Sequence, residues 1–170
     1  MMSAGITFGG DKIASAHFTD GTSQDIRAGG LVQIGGGLIW ESQDMPIAAS
    51  LSVNYHVDDT SASNGSATFS RIPVEAIVYY TGVDKWRFGV GARFVNSAKF
   101  TAHVDGDGDA NVKFDNTTGA LIEVGYKLSP KAWVNGRIVS EKYKPSGYDG
   151  FGNVKSLDGT HGGVNMLYEF

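Results

Sequence analysis

The sequence predicts an all-β chain folded as a single antiparallel up-and-down barrel of about eight strands. Three observations carry that expectation. Apolar residues recur at alternate positions along the whole chain, in segments separated by turn-forming stretches. Glycine is abundant, at 24 of 170 residues, and it lies inside the alternating segments as well as between them. Without a collagen-like triplet period, that usage suits tight turns and close strand approach. The connections also alternate between short and long, which in an up-and-down barrel gathers the short turns at one end and the long loops at the other.

The elements follow in order. A first strand is expected over residues 6–18 and a second over 26–40, where Ala28, Gly30, Val32, Ile34, Leu38 and Trp40 share a phase. The third, over 47–57, alternates most cleanly: Ile47, Ala49, Leu51, Val53, Tyr55 and Val57 oppose Ala48, Ser50, Ser52, Asn54 and His56. A polar loop over 58–66 leads to a fourth strand over 67–80, with Ile72, Val74, Ala76, Val78 and Tyr80 opposed by Arg71, Glu75 and Tyr79. After a tight turn at 82–85, the fifth strand sets Trp86, Phe88, Val90, Ala92 and Phe94 against Arg87, Gly89, Gly91 and Arg93. A Gly/Asp loop over 105–111 precedes a sixth strand over 112–128, and a turn at 129–131 leads to a seventh over 132–143. A long loop over 144–158 reaches a closing strand that ends the chain. All 170 residues form one domain.

Alternation does not say which face is the core, since a soluble lipocalin-like barrel alternates equally well. Three features favour an outward apolar face. The polar face carries charges of both signs, Arg27, Glu75, Arg87, Arg93, Glu123, Lys127, Arg137 and Glu141, together with small residues. Such charges are expected to pair across a narrow lumen. Lumen-facing Gly29, Gly35, Gly37, Gly89, Gly91 and Gly125 are expected to leave some interior space. Trp40, Trp86, Trp133, Tyr80, Tyr126 and Tyr168 lie beside short turns, and Phe18, Tyr55, Phe69, Phe100 and Tyr143 lie toward the long loops, as two interfacial girdles would. Most strands also exceed the ~9–11 residues that cross hydrocarbon at a tilt. Two positions break phase, Trp133 in the seventh strand and Lys12 in the first, and each predicts a bulge or an early strand end.

The end of the chain is the most specific signal. Counting back by twos from Phe170 gives Tyr168, Met166 and Val164. This pattern resembles the closing strand of small bacterial outer-membrane β-barrels, in which a terminal aromatic and apolar residues at alternate positions are read by the barrel-assembly machinery. The resemblance covers essentially the whole chain. It implies a transmembrane barrel in the bacterial outer membrane, as a mature chain without its leader, in contact with outer-membrane lipid and lipopolysaccharide, and monomeric. It also implies a non-enzymatic barrel whose extracellular loops serve surface interaction or envelope integrity. A narrow pore, or a lateral route for small apolar molecules, is the alternative.

Chemistry-bearing motifs are sparse. Asp105, Asp107 and Asp109 alternate on a Gly-rich loop and could converge on calcium, although the Gly and the distant Glu of a calcium loop are missing. The alternative is a solvated acidic loop. No other cofactor is expected. The histidines show no metal-ligand spacing. Ser50, Ser52 and His56 share a strand face without an identified orienting acid, and the His-x-Ser pattern of lipid A deacylases is absent, so no enzyme is expected. The absence of Cys excludes disulfides, and a net charge of −4 disfavours a nucleic-acid partner. Deleting Phe170 is expected to impair insertion far more than shortening the acidic loop; equal outer-membrane assembly of the two variants in a cell-fractionation assay would refute the end signal.

Overall fold

The computed structural model describes residues 1–17, 23–62, 65–104, 108–146 and 155–170. Among these residues there is no helix and there are thirteen strands. In chain order they are β1 (Met2–Gly9), β2 (Lys12–His17), β3 (Ser23–Arg27), β4 (Leu31–Glu41), β5 (Ile47–Ala62), β6 (Gly65–Val83), β7 (Trp86–Val104), β8 (Gly108–Lys113), β9 (Thr117–Ser129), β10 (Ala132–Ser140), β11 (Lys142–Tyr143), β12 (Leu157–Asp158) and β13 (His161–Tyr168). Eight of them close a ring in the order β1-β4-β5-β6-β7-β9-β10-β13. All neighbours are antiparallel, and β13 returns to pair with β1, Tyr168 opposite Met2 and His161 opposite Gly9. The chain is thus an eight-stranded, closed, up-and-down barrel. Closure leaves no unpaired edge at the level of the ring, which a hydrocarbon environment demands.

The barrel is inside-out relative to a soluble protein. Leu38, Leu51, Val53, Val78, Val90, Ile122, Ile138 and Met166 are exposed on the outer face, while Gln33, Asn54, His56, Glu75, Arg93, Glu123, Asn135 and Arg137 are buried. Val90 is 65% exposed and its strand-mate Arg93 is fully buried. Only lipid around the ring reconciles those two values with burial energetics. Near the short turns, Trp40, Trp86, Tyr80, Tyr168 and Phe170 are exposed, forming the girdle expected at that end. The Trp86 and Tyr126 rings meet edge-to-face at 4.9 Å, as do those of Tyr168 and Phe170 at 5.7 Å.

The other end departs from the sequence reading. Strands β5 and β6 run on as a ladder to the Ala62–Gly65 pair, and β7 continues to Val104 against both β6 and β8. The described parts of the expected loops over 58–66 and 105–111, residues 58–62, 65–66 and 108–111, are therefore strand. Beyond the lipid both sheet faces can be polar, so hydropathy alternation fades while the backbone ladder continues. Of the expected second girdle, Tyr55 is exposed, Phe18 lies outside the described residues, and Phe69, Phe100 and Tyr143 are buried within the barrel end.

The first expected strand stops at Gly9, and Lys12–His17 and Ser23–Arg27 pair as a separate two-stranded hairpin, β2–β3, so Lys12 never enters the ring. The second expected strand is likewise interrupted between Arg27 and Leu31. At the seventh, the register shift falls between Ala132 and Trp133, so Trp133 itself keeps the phase of Asn135 and Arg137 and its indole points inward, 5% exposed instead of standing in a girdle. The outward face makes its own prediction: Val53→Arg should destabilise insertion by ~2–4 kcal/mol near mid-bilayer. Refolding into liposomes followed by heat-modifiable gel mobility checks this, and a normally shifted band for the variant would reverse the assignment of faces.

Candidate functional site

The interior is a single chain of alternating charge. Starting near the short turns, Arg87 Nη2 is 3.9 Å from Glu123 Oε1, and Glu123 Oε2 is 3.6 Å from Arg137 Nε. Arg137 Nη2 donates to Glu75 Oε2 at 2.8 Å, and Arg93 Nη1 donates to the other Glu75 oxygen at 2.8 Å. Arg93 Nε then lies 3.0 Å from Glu141 Oε2, and Arg71 Nε lies 3.9 Å from Glu141 Oε1. Four arginines thus interleave with three glutamates, and Glu169, 3.4 Å from Arg87 Nη1 at the short-turn mouth, supplies a fourth carboxylate. The charges come from β6, β7, β9, β10 and the residue after β10. The opposite wall supplies neutral partners, as in the Gln33 Oε1 that accepts from Arg93 Nη1 at 3.3 Å.

Neutral groups complete the interior. Asn135 accepts from Arg87 at 3.0 Å and donates to Asn165 at 2.7 Å. Tyr79 Oη donates to Glu123 at 3.0 Å, and Tyr143 Oη donates to Glu141 at 2.6 Å. His56 is held by Arg93 at Nδ1 (2.9 Å) and by Thr7 at Nε2 (2.8 Å), with Arg71 Nη2 3.1 Å from Nε2. A guanidinium only donates, so the ring accepts on at least one nitrogen. His161 presents Nδ1 to the Gly159 carbonyl at 2.7 Å, which fixes the proton there, and its ring meets that of His56 edge-to-face at 5.2 Å.

Guanidinium–aromatic stacks end the ladder at both sides. Arg87 Cζ lies 4.3 Å from the Trp133 ring centroid and 4.6 Å from that of Tyr79. Arg71 Cζ lies 5.0 Å from Phe69 and 5.8 Å from Tyr143. Above Arg71 the interior becomes apolar: Ile26, Ala28, Phe69, Val95, Ala98, Phe100, Val112, Phe114, Tyr143 and Leu157 form one buried cluster across the long-loop end. The Phe69, Phe114 and Tyr143 rings meet edge-to-face at 5.4–6.1 Å. A bulge brings Phe100 into this cluster. Between Ser70 and Ile72 the β6–β7 register slips and Ser97 adopts φ 54°, so the residues after it reverse face.

The placement of the expected residues can now be stated. Glu75, Arg87, Arg93, Glu123, Arg137 and Glu141 converge in the ladder. Lys127 is half-buried at the short-turn mouth, with Nζ 5.2 Å from the Trp133 ring. Arg27 is not in the lumen. It is 47% exposed on the β2–β3 hairpin, pairing with Asp25 at 3.4 Å, because the break after it places Ile26 and Ala28 inward instead. The expected charge network omitted Arg71, although the sequence puts it on the polar face in phase with Glu75, and it omitted the neutral Gln33, Asn135 and His161.

The lumen glycines leave no open space. A Cβ at Gly89 would stand 2.7 Å from the Tyr79 ring, one at Gly125 2.8 Å from Arg87, and one at Gly29 2.6 Å from His161. These positions are small because a neighbour's large side chain already fills them. No Ser–His pair forms either: Ser50 faces Tyr79 Oη at 3.5 Å and Ser52 accepts from Asn54 at 3.2 Å. Asp105 and Asp107 lie outside the described residues, and Asp109 stands in β8 with its carboxylate 2.5 Å from His103 Nδ1. Val164, Met166 and Tyr168 project outward from β13, and Phe170 follows, 76% exposed.

No family model and no curated protein matches this chain. Among solved structures, the crystal structure of Neisserial surface protein A matches over 98% of this chain and 94% of that one, with a TM-score of 0.51 and 18% sequence identity. At that identity the likeness concerns the fold alone, a closed eight-stranded antiparallel barrel.

The ladder predicts a steep cost for removing its centre. Glu75→Ala leaves Arg93 and Arg137 buried without their shared carboxylate and should cost ~3–5 kcal/mol. Arg27→Ala, at the exposed hairpin pair, should cost less than ~1 kcal/mol. Urea unfolding in detergent micelles compares them, and equal midpoints would contradict the ladder's role.

Proposed function

We propose that this chain is a non-enzymatic barrel of the bacterial outer membrane, monomeric, with a closed lumen and an extracellular sheet that acts in surface interaction or envelope integrity. The observation that carries the reading is the interior itself. A continuous charge ladder fills the lumen, and an apolar cluster of ten buried residues lies across its long-loop end. A solute would have to break paired buried charges and then part packed aromatic rings. Each step is costly, because an unpaired buried ion is penalised by several kcal/mol and an aromatic side chain gains ~1.5–3 kcal/mol from burial. A narrow pore finds no support in that arrangement.

The surface role rests on what lies beyond the lipid. There β5–β8 continue as a four-stranded sheet whose inner face seals the lumen and whose outer face presents Asp59, Ser61, Ser66, His103, Asp109 and Asn111 to solvent. Polar, hydrogen-bonding groups on a rigid sheet suit recognition better than transport. The likeness to a protein described as a surface protein agrees with that orientation.

Two measurements test the proposal. In planar bilayers the refolded protein should give no conductance steps above baseline; steady channels would return the pore reading. An epitope inserted between Ala62 and Gly65 should bind antibody on intact cells, and labelling only after permeabilisation would invert the orientation.

A further inference from the structure

The cations are unevenly placed. Of 14 Lys and Arg residues, four arginines belong to the lumen ladder and Lys127 stands at its mouth. Lys85 and Lys131 occupy short turns, and Lys12 and Arg27 belong to the β2–β3 hairpin. The remaining five are Lys99, Lys113, Lys142, Lys144 and Lys155, and of these Lys99, Lys113 and Lys144 lie on neighbouring segments of the long-loop end, in a chain of net charge −4.

Lys99 on β7 and Lys113 on β8 are direct cross-strand partners. Their neighbours Ala98, Phe100, Val112 and Phe114 are buried inward, so both lysines project away from the barrel axis. The next segment continues the row. Phe114 bridges to Pro145, Ser146 N donates to the Lys113 carbonyl, and Asp115 N donates to the Lys144 carbonyl, which sets Lys144 directly opposite Asp115 and diagonal to Lys113. The carboxylates facing the group are Asp115, next to Lys144, and Asp158, opposite Lys142 in register. Among the described residues, neither Lys99 nor Lys113 makes an ion pair. Like charges placed directly across a ladder repel, and the fold retains this pair at the surface with no carboxylate between them.

Height gives the arrangement a meaning. On β7 the lipid-facing residues Phe88, Val90 and Phe94 lie below Lys99, and on β9 Ile122 and Val124 lie below the Asp115–Lys144 row. Lys99 stands five residues beyond Phe94, which is about 12 Å of height at a rise of ~3.3 Å per residue and a tilt of ~45°. That is the zone in which phosphorylated headgroups meet a barrel wall.

We infer that Lys99, Lys113 and Lys144 form a docking surface for the phosphate groups of outer-leaflet glycolipids, which fill the position between the like-charged lysines. Ammonium groups on flexible stems suit this task, since each acts as a point charge with three rotatable donors and can follow a mobile headgroup. The inference rests on the outer-membrane orientation proposed above.

The test uses the full chain refolded in neutral detergent, with native mass spectrometry of added bisphosphorylated lipid A. The comparison ligands are dephosphorylated lipid A and a soluble phosphorylated disaccharide without acyl chains. The wild type should prefer the phosphorylated lipid, and affinity should fall about fivefold per lysine removed, reaching on the order of a hundredfold in K99Q/K113Q/K144Q. The control K85Q/K131Q, matched in charge to K99Q/K113Q, should bind as the wild type does where K99Q/K113Q does not, and added salt should weaken the preference. Equal binding by the triple variant, or equal binding of dephosphorylated lipid, would overturn the inference alone. Binding of the soluble disaccharide as tightly as the lipid would replace a lipid surface by a free-anion site. Folding in plain buffer without detergent would overturn the membrane reading, and this inference with it.

Discussion

The arrangement of the whole molecule depends on the two carboxylate oxygens of Glu75. Each accepts from a different arginine at 2.8 Å, one from β7 and one from β10, so a single side chain on β6 ties together three strands of the ring. Its neighbours extend the alternation in both directions, to Arg87 and to Arg71. Buried ions are tolerated only when paired and hydrogen-bonded, so the ladder can exist in one register alone. A slip of one residue on any of these strands would expose its charges to lipid and turn its Val and Ile residues inward. The charge network is thus a registration device for a fold whose outer surface, being uniformly apolar, offers little specificity of its own.

The ends of the barrel are solved differently, although both use aromatic rings on guanidinium faces. At the short-turn end Trp133 and Tyr79 enclose Arg87, and the mouth remains polar, with Glu169 and Lys127 beside it. At the other end Phe69 and Tyr143 cover Arg71, and an apolar cluster follows. That cluster needs three things. Strands β5–β8 must extend past the lipid, the bulge at Ser97 must turn Phe100 inward, and the hairpin must deliver Ile26 and Ala28. Backbone contacts hold the hairpin's base: Ala28 N donates to Asp11 O at 2.9 Å and Arg27 N to the Asp58 carboxylate at 2.9 Å. Strand extension and hairpin packing together thus build the apolar cluster across that end.

Much of this was legible in the residue order, and the errors are instructive. Phe69 lies in phase with Arg71 and Glu75, and Tyr143 with Arg137 and Glu141. Their inward position could have been read from phase; proximity to long loops was the weaker guide. Phe100 could not have been placed so, because the extra residue at Ser97 shifts its phase and nothing in Val95-Asn96-Ser97-Ala98 marks a bulge as a Gly would. Arg27 was misplaced for a related reason. A strand read continuously over 26–40 hides the break at residues 28–30 that turns the hairpin away from the ring.

By itself, the sequence determined the closed all-β architecture, the outward apolar face and the inward charges, and an aromatic end to the last strand. Each of these is a period-2 pattern within one strand, set by the pleat of the backbone. Only the tertiary structure decided which charges meet, that an apolar cluster lies across the long-loop end, and that Lys99 and Lys113 stand side by side. Glu75 and Arg137 are 62 residues apart, and Lys99 reaches Lys113 only because β8 folds back on β7. Contacts across the ring depend on register, bulges and hairpin placement, which are properties of several strands at once, and no local spacing encodes them.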